Sequence, residues 1–121
     1  MRSILSISKN EALNNVITTS VQGKYQLIPA INVFQGVCEL KKNDSIEIVI
    51  LDIDDQVTLS MVFLQHVSTS WILQRPVVVL SGAIDKHTSE KLIKTGATAL
   101  INKPFNPVEL VRKIDDLMVL S

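Results

Sequence analysis

The feature that most constrains this chain is a short apolar run, Ile48 to Leu51, that ends abruptly in Asp52, with Asp54 and Asp55 close behind. The run is long enough for one buried strand and too short for a helix. An apolar strand that delivers carboxylates at its C-terminal end is the layout of an open parallel α/β sheet, in which ligands bind outside the carboxyl ends of the strands. Asp52 is therefore the residue to explain. On this stretch alone two readings stand side by side. Asp52 either caps the next helix, with Asp54 and Asp55 as solvated loop charges, or it belongs to a site.

The rest of the chain supplies the other elements in single strand-helix steps. Residues 3–8 read as a first strand, with Ile4, Leu5 and Ile7 as its apolar positions. Asn10 is placed to cap a helix reaching Val21, with Leu13, Val16, Ile17 and Val21 on its apolar face and Gly23 closing it. Residues 25–31 predict a second strand, which Pro29 pushes to a sheet edge. Helices follow over 33–41 and, after the central strand, over 58–68, where Leu59, Val62, Phe63 and Val67 fall on one face. Trp71 is expected to cover the core edge. A fourth strand over 76–80 runs into Ser81 and Gly82, and a sparse fourth helix over 85–95 ends at Gly96. A fifth strand over 98–102 leads into Lys103, Pro104 and Phe105. Asn106, Pro107 and Glu109 then open the last helix as N-cap, first helical residue and a carboxylate reaching back. Its apolar face is Leu110, Val111, Ile114, Leu117 and Met118. Strands alternating with helices in this way imply a parallel sheet with right-handed crossovers and helices on both faces. The fold class expected is α/β, a flavodoxin-like (βα)5 three-layer sandwich with sheet order 2-1-3-4-5, in one domain over residues 1–121.

Composition excludes several function classes. The 12 basic and 12 acidic residues balance, so nothing marks nucleic acid or an anionic membrane as an electrostatic partner. No apolar run approaches a membrane span, and the N-terminus lacks a signal peptide's apolar segment. The single cysteine, Cys38, leaves no disulfide framework, so a cytoplasmic location is expected, with Cys38 as a small buried hydrophobe. His66 and His87 have no second ligand beside them and read as surface or packing residues.

In the 2-1-3-4-5 order the ends of strands 1, 3, 4 and 5 converge. They deliver Ser8 and Lys9, then Asp52, then Ser81, then Lys103. A carboxylate, a hydroxyl and an ammonium at one point suit phosphoryl transfer. The carboxylate can form an acyl-phosphate, and the other two donate to the phosphoryl oxygens.

With these residues in place the whole chain resembles the receiver domain of bacterial two-component response regulators. The most specific stretches are Val-Ile-Leu-Asp at 49–52, Val-Leu-Ser-Gly at 79–82 and Gly-Ala-Thr-Ala-Leu-Ile-Asn-Lys-Pro-Phe at 96–105. The intervals from Ser81 to Gly96 and to Lys103 also agree with that family. The resemblance implies that Asp52 is the phosphoacceptor, Ser81 the hydroxyl that moves onto the phosphoryl group, and Lys103 its positive clamp. It implies a histidine kinase or phosphotransfer protein as donor, with Mg²⁺ bridging phosphate and carboxylates. It also implies a downstream protein on the face of helix 4, strand 5 and helix 5, and leaves a homodimer open. Such a chain is a switch rather than an enzyme, with at most self-phosphorylation and self-dephosphorylation activity.

The departures are specific. The family's acidic pair after strand 1 is replaced by Ser8 and Lys9, the nearest acid being Glu11. That leaves Asp52 and Asp54 as the residues available to a metal. The switch aromatic of strand 5 is replaced by Leu100, and the usual Pro and Gly after the phosphoacceptor are Gln56 and Ser60. Two readings follow: a phosphorylatable receiver, and a degenerate receiver that acts only as a protein-interaction module. A remote third is a haloacid-dehalogenase-like phosphatase, which Asp52-Ile53-Asp54 resembles, although that motif normally lies on the first strand. A flavodoxin would need a Gly- and hydroxyl-rich phosphate loop after strand 1, which residues 8–12 do not form. No output module follows the last helix in this sequence, so a stand-alone receiver and one domain of a longer protein are both compatible with it. Two local expectations complete the reading. The Lys103-Pro104 bond should be cis, because strand 5 must turn tightly before Asn106. The Lys9 ammonium should stand in for the missing metal by pairing with Asp52, and with Asp54 as a further partner.

Overall fold

Strands form where β-branched and leucine residues run unbroken, and their alternation assigns residues to opposite sheet faces. In a computed structural model that describes residues 2–120, the strands are β1 (Ser3–Ile7), β2 (Gln26–Ala30), β3 (Ile46–Asp52), β4 (Val77–Ser81) and β5 (Ala99–Asn102). The helices are α1 (Glu11–Val21), α2 (Val33–Lys42), α3 (Val57–Thr69), α4 (Lys86–Thr95) and α5 (Pro107–Leu120). All strand pairs are parallel, and the order is β2-β1-β3-β4-β5, as expected. Pro29 lies on the edge strand β2, where its missing N–H costs no ladder bond to a further strand.

The sheet divides the apolar residues into two cores. Leu5, Ile7, Val49, Leu51, Val77 and Val79 pack against α2, α3 and α4 through Leu40, Phe63, Leu64, Val67 and Leu92. Ile4, Ile48, Ile50, Val78 and Leu80 pack against α1 and α5 through Ile17, Val21, Leu110, Ile114 and Met118. Because β1, β3 and β4 are covered on both faces, they are buried along nearly their whole length, Ser3 and Ser6 of β1 included, rather than on alternate residues.

Side-chain caps position four of the helices. Asn10, Asn32, Asp85 and Asn106 accept from the backbone N–H of Leu13, Gln35, Thr88 and Val108 respectively. Glu109 does not complete a capping box with Asn106; it is exposed. Gly96 ends α4 with φ +130°, and a Cβ there would lie 2.6 Å from Ser68 Cβ, so glycine serves both the backbone conformation and the close approach of α3 and α4. The Lys103-Pro104 bond is cis. Among the described residues no helix is long and apolar enough to cross a membrane.

Four packing expectations need correction, three of them for one reason. In α1 and α3 a polar residue takes a core-facing position. The buried set of α3 is Ser60, Phe63, Leu64 and Val67, which turns Leu59 and Val62 outward. The buried set of α1 is Asn14, Ile17 and Val21, which leaves Val16 exposed. In α2 the buried positions are Val33, Gly36 and Leu40, with Val37 packed beside them, so Cys38 lies on the outer face and is exposed. Helical spacing is the common cause: once one residue in four is assigned inward, its neighbours are not. Trp71 is 96% exposed, and Leu73 fills the core edge in its place.

Candidate functional site

The end of β1 is held by a chain of polar contacts that begins inside the fold. Ser6 Oγ donates to Asn14 Oδ1 at 2.7 Å, and Asn14 Nδ2 donates to the Ser8 carbonyl at 3.2 Å. The Ser8 N–H donates to the Ala30 carbonyl at 2.9 Å, continuing the ladder toward β2. With its backbone tied on both sides, Ser8 places its hydroxyl between two groups. It accepts from the Asn10 N–H at 3.0 Å and donates to Asp52 Oδ2 at 2.7 Å. Ser6 and Asn14 were not identified as part of this arrangement from sequence. The available signal was the amide of Asn14 interrupting the apolar face of α1.

β3 delivers Asp52 with its side chain only 3% exposed. Lys103 extends from the end of β5, where its N–H donates to the Ser81 carbonyl at 2.9 Å. Its ammonium donates to Asp52 Oδ1 at 2.6 Å and lies 3.1 Å from Asp54 Oδ2. Ser81, at the end of β4, donates to Asp54 Oδ1 at 2.6 Å and accepts from the Ala83 N–H at 3.1 Å. The Gly82 N–H donates to Asp54 Oδ2 at 3.0 Å, and the Asp54 N–H donates to Asp52 Oδ1 at 3.2 Å. Asp52, Asp54, Ser8, Ser81 and Lys103 thus form one connected network. Ser81 reaches Asp54 and not Asp52.

The network sets the charge states. Burial works against ionisation of Asp54, but the bonds from Ser81, Gly82 and Lys103 outweigh it and hold its carboxyl below the usual aspartate value. Burial likewise works against the Lys103 ammonium, and the bonds to Asp52 and Asp54 raise its pKa above the ordinary lysine value nonetheless. Carboxylate and ammonium therefore stay charged together across the neutral range.

Lys9 does not join them. It is exposed, and Lys103 makes both ion pairs expected of it. The cause is local: Ser8 turns toward Asp52 and Asn10 begins the helix, so the residue between them faces outward. Lys9 does line a small cleft with Ser8, Asn32, Asp52, Asp55 and Gln56. Leu100 lies on the edge strand β5, paired in register with Val79, and packs on the α2-α3-α4 core, with β4 between it and the strand of Asp52.

The donor set does not fit a divalent metal. Among the described residues no three His, Cys, Asp or Glu side chains lie together as ligands. A hard cation such as Mg²⁺ takes an octahedral shell of oxygens, commonly one or two carboxylates with waters and substrate phosphate, and needs the lone pairs of those carboxylates open to it. Here Asp52 and Asp54 supply two carboxylates, and protein donors meet their oxygens.

No protein-family profile matches the chain, and no curated protein matches it. Solved structures do. The chemotaxis protein CheY4 of Vibrio cholerae superposes with a TM-score of 0.87 at 18% identity, over 97% of this chain and 98% of that one. A response regulator from Thermotoga maritima gives 0.88 at 18% identity, over 98% of both chains. A CheY-like receiver domain protein from Methanospirillum hungatei gives 0.84 at 19% identity, over 96% of this chain and 92% of that one. The chain has the flavodoxin-like fold of CheY-like response-regulator receiver domains.

Proposed function

We propose that the chain is a receiver module of a two-component phosphorelay, with Asp52 as the phosphoacceptor. One observation carries this reading: at the end of β3, Asp52 meets the Lys103 ammonium at 2.6 Å, inside a network that includes Ser81 from the adjacent strand end. In the proposed step an Asp52 carboxylate oxygen attacks the phosphorus of a phosphohistidine on a histidine kinase or phosphotransfer protein. The new O–P bond forms as the P–N bond breaks, and the leaving imidazole keeps the electron pair and takes a proton. Lys103 shifts its donation from Asp52 to a phosphoryl oxygen, and Ser81 turns from Asp54 to another. Movement of Ser81 and Lys103 is what the rest of the domain would sense. The downstream partner is assigned to the face of α4, β5 and α5. There α4 buries only Leu92, and β5 leaves one edge unpaired beside a groove lined by Leu100, Pro104, Glu109 and Lys113. The chain is a switch and not a turnover enzyme, and the cytoplasm is the matching location.

A second reading is a receiver fold that works by docking alone. It is favoured by the 3% exposure of the Asp52 side chain and by the engagement of both its carboxylate oxygens. The phosphatase reading loses support, because Asp52 lies on the third strand and that motif normally lies on the first. Incubation with acetyl phosphate followed by intact mass measurement tests the choice. Addition of one phosphoryl group, lost in Asp52→Asn, is expected. A wild-type chain that stays unmodified with both acetyl phosphate and a phosphorylated histidine donor leaves the docking reading.

A further inference from the structure

We infer that the Lys103 ammonium, and not a divalent cation, is the resident counter-ion of the Asp52–Asp54 pair, so that this site works without Mg²⁺. The inference deepens the receiver reading and rests on it for the role of Asp52.

Asp52 Oδ1 accepts from the Lys103 ammonium and the Asp54 N–H, and Asp52 Oδ2 accepts from Ser8 Oγ. Asp54 Oδ1 accepts from Ser81 Oγ, and Asp54 Oδ2 accepts from the Gly82 N–H beside the Lys103 ammonium. All four carboxylate oxygens therefore face donors. Each oxygen has two lone-pair sites, so Asp52 Oδ2 and Asp54 Oδ1 keep one open each, and a cation that needs more must compete with the donors already there. Two are backbone N–H groups. Ser8 is held by the Asn14 and Ala30 contacts to its own backbone. The Lys103 backbone is held by its N–H bond to Ser81, which starts the side chain toward both carboxylates, and 24% of that side chain is exposed.

Charge and ligand chemistry point the same way. The position that would contribute a third carboxylate holds Ser8, whose hydroxyl is used as a donor toward Asp52. A metal ligand must instead offer a lone pair, and a hard cation gains most from anionic oxygen. The ammonium already relieves the repulsion between the two carboxylates and repels a second cation at the same place. The positive charge that phosphoryl transfer requires is thus supplied by the chain itself.

The test is a titration of the full chain with Mg²⁺, followed by NMR at the amides of residues 52–55, 82 and 103. Wild type, Lys103→Met and Ser8→Asp are compared, each first checked for a folded spectrum. Wild type is expected to show no saturable shift. Each folded variant should gain saturable binding, at least about tenfold tighter than any wild-type response. If Lys103→Met does not fold, Ser8→Asp carries the comparison, because it adds a carboxylate and leaves the ammonium. Wild-type saturation centred on Asp52, at an affinity matching the variants, overturns the inference. So does silence from both folded variants. A parallel acetyl phosphate reaction in Mg²⁺ or EDTA separates the two ideas. Equal modification in both supports them together, whereas modification only in Mg²⁺ overturns the counter-ion inference and leaves the receiver reading. Absence of modification in both removes support for phosphoacceptance, while the titration still decides the counter-ion.

Discussion

The sheet carries a charged cluster at each pole, and the two are built differently. At the strand C-termini, Asp52 is 3% exposed and its charge is balanced inside a network of five side chains. At the strand N-termini, Arg2 pairs with Glu47 and Lys24 pairs with Asp115, and these four side chains keep between 31% and 56% of their surface. Tyr25 joins the second pair by donating to Asp115 at 2.5 Å. Water screens the lower pole, so each pair there contributes little and each can be lost alone. At the upper pole Asp52 has little water to fall back on, so removing Lys103 leaves its buried charge unanswered. A cluster that must be satisfied as a unit is also one that a single added group can reorganise. That property fits the receiver role proposed for the upper pole, whereas the lower one staples α5 to the sheet.

The largest effect should come from Lys103→Met, which leaves Asp52 buried beside Asp54 with no cation. We expect a loss of about 3 kcal/mol in urea unfolding at neutral pH, the buried-pair figure tempered by the partial exposure of Lys103. Ser8→Ala should follow at about 2 kcal/mol, because it strips one hydrogen bond from a buried carboxylate. A Ser8→Ala cost indistinguishable from zero would show that the upper pole is as tolerant as the lower.

The pH dependence sharpens the same contrast. Asp54 titrates below its ordinary value of 3.8, so its contribution is present above that pH and lost as the pH falls through the folded value. Lys103 titrates above its ordinary 10.5, so its contribution is full below that pH and lost as the pH rises through the folded value. The site should therefore hold a stability plateau across the neutral range, with losses at both edges that shrink in Asp54→Asn and Lys103→Met. At the lower pole, burial and then the bond to Asp115 raise the Tyr25 phenol to about 12. Its contribution is full below pH 10.0 and lost as the pH rises toward that value. As the chain holds one tyrosine, ultraviolet absorbance reads its ionisation directly, and a midpoint near 10.0 would remove the Asp115 contact from the account.

The smallest effects belong to the exposed lysines. Lys24→Ala should cost no more than about 1 kcal/mol, and less in high salt. Lys9→Ala should fall within about 0.5 kcal/mol of wild type, as an exposed side chain with no ion pair. A Lys9→Ala loss comparable to that of Lys103→Met would restore Lys9 to the site.

Much of this was legible in the chain before any coordinates. Parallel pairing followed from the alternation of single strands and helices, the order 2-1-3-4-5 from what five-stranded sheets of this kind commonly take, and Asp52, Ser81 and Lys103 were legible because each comes at the end of a strand. Residues that follow a strand end directly inherit its direction. The turn of Lys103 needed only the adjacent strand and Pro104. Lys9 was misplaced because it lies between a strand end and a helix cap, and its direction was settled by contacts from Asn10, Asn14 and Asp52.

Local pattern by itself determined the elements, their parallel pairing and the residues delivered to the upper pole. Hydrophobic periodicity and turn chemistry act over a few neighbours, and every residue they use is adjacent in sequence. Only the tertiary structure decided that Asn14 and Ser60 face inward, that Trp71 and Cys38 face outward, and that one lysine serves both carboxylates. For Asn14 and Lys103 the outcome depends on which donors and acceptors lie within about 3 Å of each other between distant segments, and for Ser60, Trp71 and Cys38 on which face of each element the core covers.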